Sequence, residues 1–250
     1  MKTVAIVEAR MTSSRLPGKP LMTAAGRPML AHLVDRLRRV PSLDGIVIAT
    51  TVNATDDPIV AAARGMDVPS FRGSEPDVMA RVLGAADSAG ADVIVEVTGD
   101  CPMSDPSILE QLVRLFRHNA CDYANNVEVR SYPAGMDAQV FTTAALRRAS
   151  ELTQDPFMRE HVTPYIRRNP QLFSRVTLVA PPELTWPTLP LLLDEKADYE
   201  FLRTLFEHFL PAHPAFTCAD IMRVLREEHP EWLEINRAVA RPALKNLKPL

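Results

Sequence analysis

A stretch of cations, hydroxyls and a proline–glycine turn follows the first apolar segment of the chain, and its composition suits phosphate binding. It reads Glu8-Ala9-Arg10-Met11-Thr12-Ser13-Ser14-Arg15-Leu16-Pro17-Gly18-Lys19-Pro20-Leu21. The turn places Arg15 and Lys19 on either side, and a loop of this kind can surround a triphosphate with side-chain and backbone donors. It is not a P-loop, which needs glycine in place of Ser13 and serine or threonine in place of Pro20. A solvated basic loop is the alternative.

The second candidate is Asp100, which directly follows a strongly apolar, β-branched segment, Asp92–Thr98, and precedes Pro102 in a turn. In open α/β sheets ligands lie outside the carboxyl ends of the strands, so this carboxylate would face phosphates held by the first loop. Mg²⁺ takes few protein carboxylates and keeps phosphate and water oxygens as ligands, so one further aspartate would suffice. An aspartate that only forms the turn is the alternative.

A parallel sheet would bring these segments together, and the first half of the chain predicts one. Apolar strands are predicted at Thr3–Val7, Gly45–Thr51, Pro69–Arg72 and Asp92–Thr98, and helices at Met29–Arg38, Pro58–Gly65, Asp77–Ala89 and from Pro106 onward. This alternation indicates an α/β fold with a Rossmann-like, doubly wound, mostly parallel sheet. In the second half we predict strands at Ala138–Phe141, Arg175–Val179 and Leu191–Leu193, and helices at Ala144–Glu151, Phe157–Arg168, Ala197–Phe209 and Ala219–Glu228.

Composition excludes several classes of function. Lys and Arg total 28 against 31 for Asp and Glu, a net charge of −3, so no nucleic-acid partner is expected. No segment approaches the roughly 18 apolar residues that span a bilayer, so no membrane association is expected. Three cysteines without a Cys-x-x-Cys pair favour reduced thiols and a cytoplasmic protein. The glycine spacing excludes a G-x-G-x-x-G dinucleotide loop.

The first loop also carries a family resemblance. Its pattern Ala-Arg-Met-x-Ser-x-Arg-Leu-Pro-Gly-Lys-x-Leu resembles the opening signature of cytidylyltransferases of the CMP-Kdo synthetase type, most closely the branch named after spore coat polysaccharide biosynthesis protein F. The resemblance runs over nearly the full chain and includes Phe71–Val78, Thr98–Pro102, Pro133–Asp137, Arg159–Pro164 and Leu193-Asp194. It implies a GT-A-like nucleotidyltransferase fold, CTP as donor, Mg²⁺ as cofactor and a homodimer.

The resemblance also implies a set of site residues. The nucleotide would meet Ala9, Arg10, Ser13, Ser14, Arg15, Lys19, Arg72, Gly73 and Ser74. Arg15, Lys19 and Asp100 would be catalytic, and Asp100 and Asp194 would hold the metal. The acceptor would meet Gly135, Asp137, Arg159 and His161, of which Arg159 is suited to a sugar carboxylate. We expect a single domain over residues 1–250, with a nucleotide-binding half at 1–125 and an acceptor-binding half at 126–250.

These features predict a CTP-dependent cytidylyltransferase that transfers CMP to an acidic sugar or related acceptor in polysaccharide or glycoconjugate biosynthesis. An acceptor oxygen would attack the α-phosphorus and release pyrophosphate. The alternatives are a phosphonate or polyol acceptor, a GT-A glycosyltransferase, and a non-catalytic nucleotide-sugar binding protein. A glycosyltransferase is disfavoured because Asp100 lies outside any Asp-x-Asp motif.

Three of the implied site residues have a plainer interpretation. Asp194 could begin a helix, Arg72 could be a surface charge, and His161 could be a structural histidine.

Overall fold

The strands of the first half lie where the apolar, β-branched segments predict them. A computed structural model describes residues 1–241, so residues 242–250, the end of the expected acceptor-binding half, lie outside it. The strands are β1 (Thr3–Glu8), β2 (Thr23–Ala24), β3 (Arg27–Pro28), β4 (Gly45–Thr51), β5 (Ser70–Gly73), β6 (Val93–Thr98), β7 (Tyr123–Asn125), β8 (Gln139–Thr142) and β9 (Arg175–Thr177). β2 and β3 pair as a small hairpin.

The other strands form one sheet in the order β5-β4-β1-β6-β8-β7-β9. The pairs β5–β4, β4–β1, β1–β6 and β7–β9 are parallel, whereas β8 runs antiparallel to both of its neighbours. The predicted mostly parallel α/β sheet is therefore confirmed. Because parallel strands end at the same edge of a sheet, Glu8, Thr51 and Thr98 lie along one edge, where ligands of such sheets bind.

Helices cover both faces of this sheet. They are α1 (Met29–Leu37), α2 (Asp57–Gly65), α3 (Val78–Ala89), α4 (Pro106–Asn119), α5 (Thr143–Leu152), α6 (Pro156–Glu160), α7 (Pro164–Arg168), α8 (Lys196–Phe209) and α9 (Cys218–Arg223). Leu33 and Leu112 belong to the apolar core on one face, and Val82 and Leu146 to the core on the other. A third apolar cluster surrounds α8 and α9. Within residues 1–241, no helix is both long enough and apolar enough to cross a membrane.

The strand predicted at Leu191–Leu193 is absent from the described sheet. The Leu191 N–H donates to the Ala134 carbonyl at 2.7 Å, and the Leu193 N–H donates to the Asp100 carbonyl at 2.8 Å. Pro190, which has no N–H, forms only an isolated bridge with Ala134. The segment thus connects two loops instead of joining a ladder of strands, and the prediction was wrong.

The helix predicted at Phe157–Arg168 is two helices, α6 and α7. Between them Val162 has a φ of 64°, a left-handed conformation that a β-branched residue rarely adopts, and the Thr163 N–H donates to the His161 carbonyl at 2.8 Å. Pro164 begins α7, lacks an N–H and restricts the residue before it. This break turns the chain at His161.

Candidate active site

A cavity of about 740 Å³ lies at the carboxyl ends of β1 and β6. The first loop, the start of α3, the turn after β6 and the segment around α6 line it. The structure brings the following predicted site residues to its wall: Ala9, Arg10, Ser13, Ser14, Arg15, Lys19, Asp100, His161 and Asp194. The remaining predicted residues lie behind or beside it: Arg72, Gly73, Ser74, Gly135, Asp137 and Arg159.

Two aspartates and two cations from distant parts of the chain meet in this cavity. Lys19 Nζ lies 3.4 Å from Asp100 Oδ2 and 3.1 Å from Asp194 Oδ1, and Arg15 Nη2 lies 3.1 Å from Asp194 Oδ2. The Lys19 side chain is 13% exposed and the Arg15 side chain 56% exposed. Lys19 is thus enclosed between the carboxylates, and Arg15 lies at the rim, where it can reach a ligand from solvent.

A buried carboxylate fastens the first loop to the end of β4. Asp56 accepts hydrogen bonds from the Met11 N–H at 2.7 Å and from the hydroxyls of Thr50 and Thr51 at 3.0 and 2.5 Å. Burial would raise the pKa of Asp56, but these hydrogen bonds outweigh it and lower the pKa. The Met11 carbonyl in turn accepts from the N–H of Gly18, whose φ of 75° suits glycine. The position of the Gly18 turn, and with it that of Lys19, therefore depends on Asp56.

Asp100 is held by its side chain and by its backbone. The Thr98 hydroxyl donates to Asp100 Oδ1 at 2.5 Å, which leaves Oδ2 facing Lys19. The Asp100 carbonyl accepts from the Leu193 N–H, one residue before Asp194. This backbone hydrogen bond joins the two segments that carry the carboxylates.

Asp194 is held by the start of α8. The N-cap of α8 is Glu195, so Asp194 lies outside the helix. Asp198 Oδ2 accepts from the N–H groups of Asp194 and Glu195 at 3.3 and 3.0 Å. The other oxygen of this fully buried carboxylate accepts from Asn236 at 3.0 Å and from Arg241. Residues close to the carboxyl end of the described chain therefore support the turn that presents Asp194.

The donor set of this centre suits a hard divalent cation. The Lys19 ammonium already lies between oxygens of Asp100 and Asp194, so this point favours positive charge. Two carboxylates are enough for Mg²⁺, which takes its other ligands from phosphate and water. Residues 1–241 contain no group of three or more His, Cys, Asp and Glu side chains arranged for a metal.

Arg72 uses its guanidinium within the protein. Nε and Nη2 donate to the carbonyls of Thr51 and Asn53 at 2.8 and 2.6 Å, and Nη1 forms a salt bridge with Asp57 at 2.6 Å. These contacts fasten β5 to the segment after β4. Arg72 therefore shapes the wall of the cavity from behind.

Gly73 and Ser74 pack beneath the residues that reach the cavity. A Cβ at Gly73 would lie 3.0 Å from Cγ of Arg81, so the close packing there needs glycine. Arg81 Nη1 donates to the carbonyls of Ser74 and Glu75, and Glu75 and Pro76 line the cavity. Gly73 and Ser74 thus contribute to the cavity indirectly, through Glu75 and Pro76, the two residues that follow them.

Gly135 and Asp137 lie in a loop next to the segment before Asp194. Gly135 has a φ of 101° and packs against the Leu191 carbonyl. Both carboxylate oxygens of Asp137 accept from Arg130 Nη1, at 3.0 and 2.9 Å, and burial raises the pKa of Asp137. Neither residue reaches the cavity in this structure.

Arg159 and His161 are close in sequence but have different surroundings. The Arg159 guanidinium forms a salt bridge with Asp77, the N-cap of α3, and donates to the carbonyls of Ser150 and Thr153. It therefore joins α6 to α3 and does not line the cavity. His161 is exposed, lies at the cavity wall and packs edge-on against Phe157 at 4.5 Å between ring centroids.

Three acidic residues of the cavity wall were not predicted: Glu8, Glu75 and Glu160. Glu75 accepts hydrogen bonds from Arg10, Thr12 and Asn53. Of the three, Glu8 had a sequence signal. It is a charged residue at the carboxyl end of an otherwise apolar strand, at the sheet edge where ligands bind.

Known proteins of one family match this chain over most of its length. A sequence profile described as cytidylyltransferase matches residues 4–207. Spore coat polysaccharide biosynthesis protein SpsF of Bacillus subtilis (strain 168) is 33% identical over 208 residues, which are 81% of this chain and 85% of that protein. The structure of a cytidylyltransferase from Leptospira borgpetersenii has a TM-score of 0.89 and 30% identity, covering 96% of this chain and 100% of that one.

A solved CMP:2-keto-3-deoxy-manno-octonic acid synthetase complexed with CTP has a TM-score of 0.64 and 21% identity, covering 83% of this chain and 99% of that one. Together with the Leptospira structure, it confirms the predicted GT-A-like fold. The fold and family define a nucleotidyltransferase. The chain belongs to the cytidylyltransferase family, as its motifs predicted.

Proposed function

We propose that the protein transfers CMP from CTP to an acidic sugar or a related acceptor and releases pyrophosphate. The observation that carries this proposal is the convergence of Arg15, Lys19, Asp100 and Asp194 in one cavity at the sheet edge. Two similar proteins support the choice of substrates. One is a synthetase for a CMP-linked keto-deoxy sugar acid that was solved with CTP, and the other is named for polysaccharide biosynthesis.

In the proposed reaction an oxygen of the acceptor attacks the α-phosphorus in line with the departing pyrophosphate. The new P–O bond forms as the bond from the α-phosphorus to the bridging oxygen breaks, the proton of the acceptor hydroxyl passes to water, and no covalent enzyme intermediate is needed. Negative charge grows on the departing phosphates. Lys19 and Arg15 stabilise that charge, so Lys19 exchanges its carboxylate partners for phosphate oxygens when the nucleotide binds.

Asp100 and Asp194 are the residues proposed to hold Mg²⁺, which when bound neutralises phosphate charge and orients the triphosphate. Ala9, Arg10, Ser13 and Ser14 are proposed to surround the nucleotide.

Glu75 and Pro76 are proposed to form the part of the cavity wall that faces the pyrimidine base, here called the pyrimidine wall. Arg72, Gly73 and Ser74 are proposed to set its position from behind.

On the acceptor side, His161 is proposed to contact the acceptor directly. Gly135, Asp137 and Arg159 are proposed to hold the surrounding loops. The two functional halves, the homodimer and the cytoplasmic location remain predictions.

The test is pyrophosphate release from CTP and Mg²⁺ with a panel of acidic sugars that includes 2-keto-3-deoxy-manno-octonic acid. Neutral polyols and phosphonates serve as comparison acceptors. We expect release with at least one acidic sugar and none without an acceptor. Release only with polyols or phosphonates would replace the acceptor class, and no release with any acceptor would contradict the proposed function.

A further inference from the structure

Two glutamates that the proposed mechanism does not use lie beneath the cavity. Glu8 ends β1 and stands beside Thr98 of β6, so it points to the same face of the sheet as Thr98 and Glu96. Glu96 is only 4% exposed, and the neighbouring Glu8 carboxyl group raises the pKa of Glu96. Two buried carboxyl groups this close are not both ionised without a large cost, because adjacent buried negative charges repel each other.

The side-chain amide of Gln139 holds one oxygen of Glu96. The Oε1 of Gln139 accepts from the hydroxyls of Tyr123 and Thr163 at 2.5 and 2.6 Å, so its amide nitrogen is the donor to Glu96 Oε2 at 2.8 Å. Burial raises the pKa of Glu96 well above its ordinary range, and the neighbouring Glu8 raises it further. Arg81 acts to lower the pKa of Glu8, so the protonated form is favoured more strongly in Glu96 than in Glu8.

One oxygen of Glu8 is left free to meet a ligand. Oε1 is inaccessible to solvent and has no hydrogen-bond partner among residues 1–241. Oε2 is neither buried nor hydrogen-bonded within the described part of the chain, and Glu8 lines the cavity. The free oxygen is therefore an acceptor without a donor.

The charged groups around Glu8 come from several elements. Arg81 of α3 favours its ionised form, and Asp100 after β6 opposes it. Arg167 of α7 acts on Glu96 from behind, and Glu160 and His161 line the cavity from α6 and its end. Burial leaves the pKa of Glu8 raised in spite of Arg81. A second carboxylate would therefore be repelled at this point, whereas a neutral hydroxyl donor would be attracted.

The residues around Glu8 connect it with the acceptor-binding half of the chain. Glu96 lies on β6, Gln139 on the adjacent β8, and Thr163 immediately before α7. Thr163 follows the left-handed residue Val162, at the turn that brings His161 to the cavity. Arg10 and Thr12 contact Glu75 on the other side, towards β4 and β5. Glu8 thus lines the same cavity as His161, the residue proposed to contact the acceptor, and is linked through Glu96 and Gln139 to the segment that carries His161.

We propose that Glu8 determines acceptor specificity by accepting, through its free carboxylate oxygen, a hydrogen bond from a hydroxyl group of the acceptor. This rests on the proposed function and narrows it. The acceptor presents a hydroxyl to the floor of the cavity, and its own carboxylate lies elsewhere. An analogue that lacks this hydroxyl leaves that Glu8 oxygen without a donor in the cavity and binds less tightly.

The test compares three variants in which one glutamate becomes glutamine. Glu8→Gln removes the charge and keeps the shape. Glu96→Gln replaces the neighbouring carboxyl group with an amide of the same shape. Glu160→Gln is the matched control, since Glu160 lines the same cavity but is exposed. Binding of 2-keto-3-deoxy-manno-octonic acid is measured by calorimetry with Mg²⁺ and the α,β-methylene analogue of CTP bound.

Glu8→Gln should weaken sugar binding by roughly 10- to 100-fold, the effect of losing a hydrogen bond to a charged group, with the affinity for the CTP analogue unchanged. Glu160→Gln and Glu96→Gln should stay within about threefold of the wild-type protein. Unchanged sugar binding in Glu8→Gln would overturn the proposal. So would an effect on the nucleotide alone, an equal loss in Glu96→Gln, or no binding of the sugar to the wild-type protein.

A pH profile separates binding from proton transfer. With an active acceptor, Glu8→Gln should raise KM for that acceptor and leave kcat nearly unchanged across pH. A fall in kcat with loss of the acidic limb of the profile would make Glu8 a general base and overturn the binding role. Pyrophosphate release by the wild-type protein is read independently. If release occurs and Glu8→Gln matches wild type, only this inference fails. If no acceptor supports release, the proposed function fails.

Discussion

In this structure Lys19 compensates Asp100 and Asp194, whose carboxylates would otherwise repel each other. In the proposed reaction the same enclosed ammonium would also meet the phosphates, while Arg15 would approach from the exposed rim. One side chain would thus keep the acidic pair together and act on the departing group.

Replacing Lys19 tests its proposed role in the reaction. Lys19→Ala should reduce kcat by roughly 10²-fold or more, because charge on the bridging oxygen grows only as its bond to the α-phosphorus breaks. The affinity for CTP should fall far less. Steady-state kinetics at saturating Mg²⁺ measures both, with Arg64→Ala, an exposed cation on α2, as control. If only the apparent affinity for CTP changed, Lys19 would be a clamp for the ground state.

Glu96 should make stability depend on pH in a characteristic direction. Its pKa in the folded protein is raised above the ordinary 4.5, so its stabilising contribution is complete below that value and is lost as pH rises through the folded pKa. In Glu96→Gln the side chain does not titrate, so this stability is not lost as pH rises. Over that window the free energy of unfolding of the variant should therefore increase relative to that of the wild-type protein by about 1.4 kcal/mol per pH unit. Urea denaturation at pH 5 to 8 measures it, and parallel profiles would contradict it.

At the scale of elements, the start of α8 depends on residues beyond the family match, which ends at residue 207. Asn236 and Arg241 hold one oxygen of buried Asp198, and its other oxygen holds the Asp194 N–H. Loss of either partner leaves a buried carboxylate less compensated. The carboxyl-terminal segment therefore acts on the proposed metal site without touching it.

Arg241→Ala tests this support. It should destabilise the protein by about 1–3 kcal/mol, the scale of a hydrogen bond to a buried charge. It should also raise the Mg²⁺ concentration for half-maximal activity by roughly tenfold, since Asp194 would be held less firmly. Arg237→Ala is the control, because Arg237 is 74% exposed and, among residues 1–241, pairs with Glu234. A loss of stability without a change in Mg²⁺ dependence would limit Arg241 to a structural role.

The elements that the sequence predicts well are those with local causes. β1, β4 and β6 are continuous apolar segments, and Asp77 and Asp105 accept N–H bonds as the N-caps of α3 and α4. β7 escaped prediction because three residues are too few for a pattern. Leu191–Leu193 has the composition of a strand, but its amides meet two separate loops, and no local pattern indicates that.

The candidate site divides in the same way. Arg15, Lys19 and Asp100 are marked by turns and strand ends that are visible locally. Arg159 looks like a ligand for a carboxylate, and it does bind one, but that carboxylate is Asp77, 82 positions earlier in the chain. Glu8 belongs to the cavity through Glu96 and other partners that only the fold brings together.

The whole cavity should distinguish nucleotides by the size of the base. The proposed pyrimidine wall cannot move outward easily. Arg72 donates hydrogen bonds to three groups, and Glu75 accepts hydrogen bonds from three other side chains. CTP with Mg²⁺ should therefore raise the melting temperature more than ATP or GTP, and a preference for CTP over UTP, whose base has the same size, is expected from the cytidylyltransferase family. Thermal-shift titration with the four nucleotides measures this. Equal stabilisation by ATP would contradict the proposed choice of nucleotide.

The backbone hydrogen bond between Leu193 and Asp100 has a consequence for how this molecule can be redesigned. The spacing of the two carboxylates is set by that bond and by the start of α8, and within the long segment between them the contact of Leu191 with Ala134 supports it. We expect that loops within residues 103–189 that do not touch this contact can lengthen or shorten while both aspartates keep their places. We expect that acceptor-side loops taken from a relative will change the choice of sugar and leave nucleotide binding unchanged. Chimeric proteins of this kind can therefore be built on this chain.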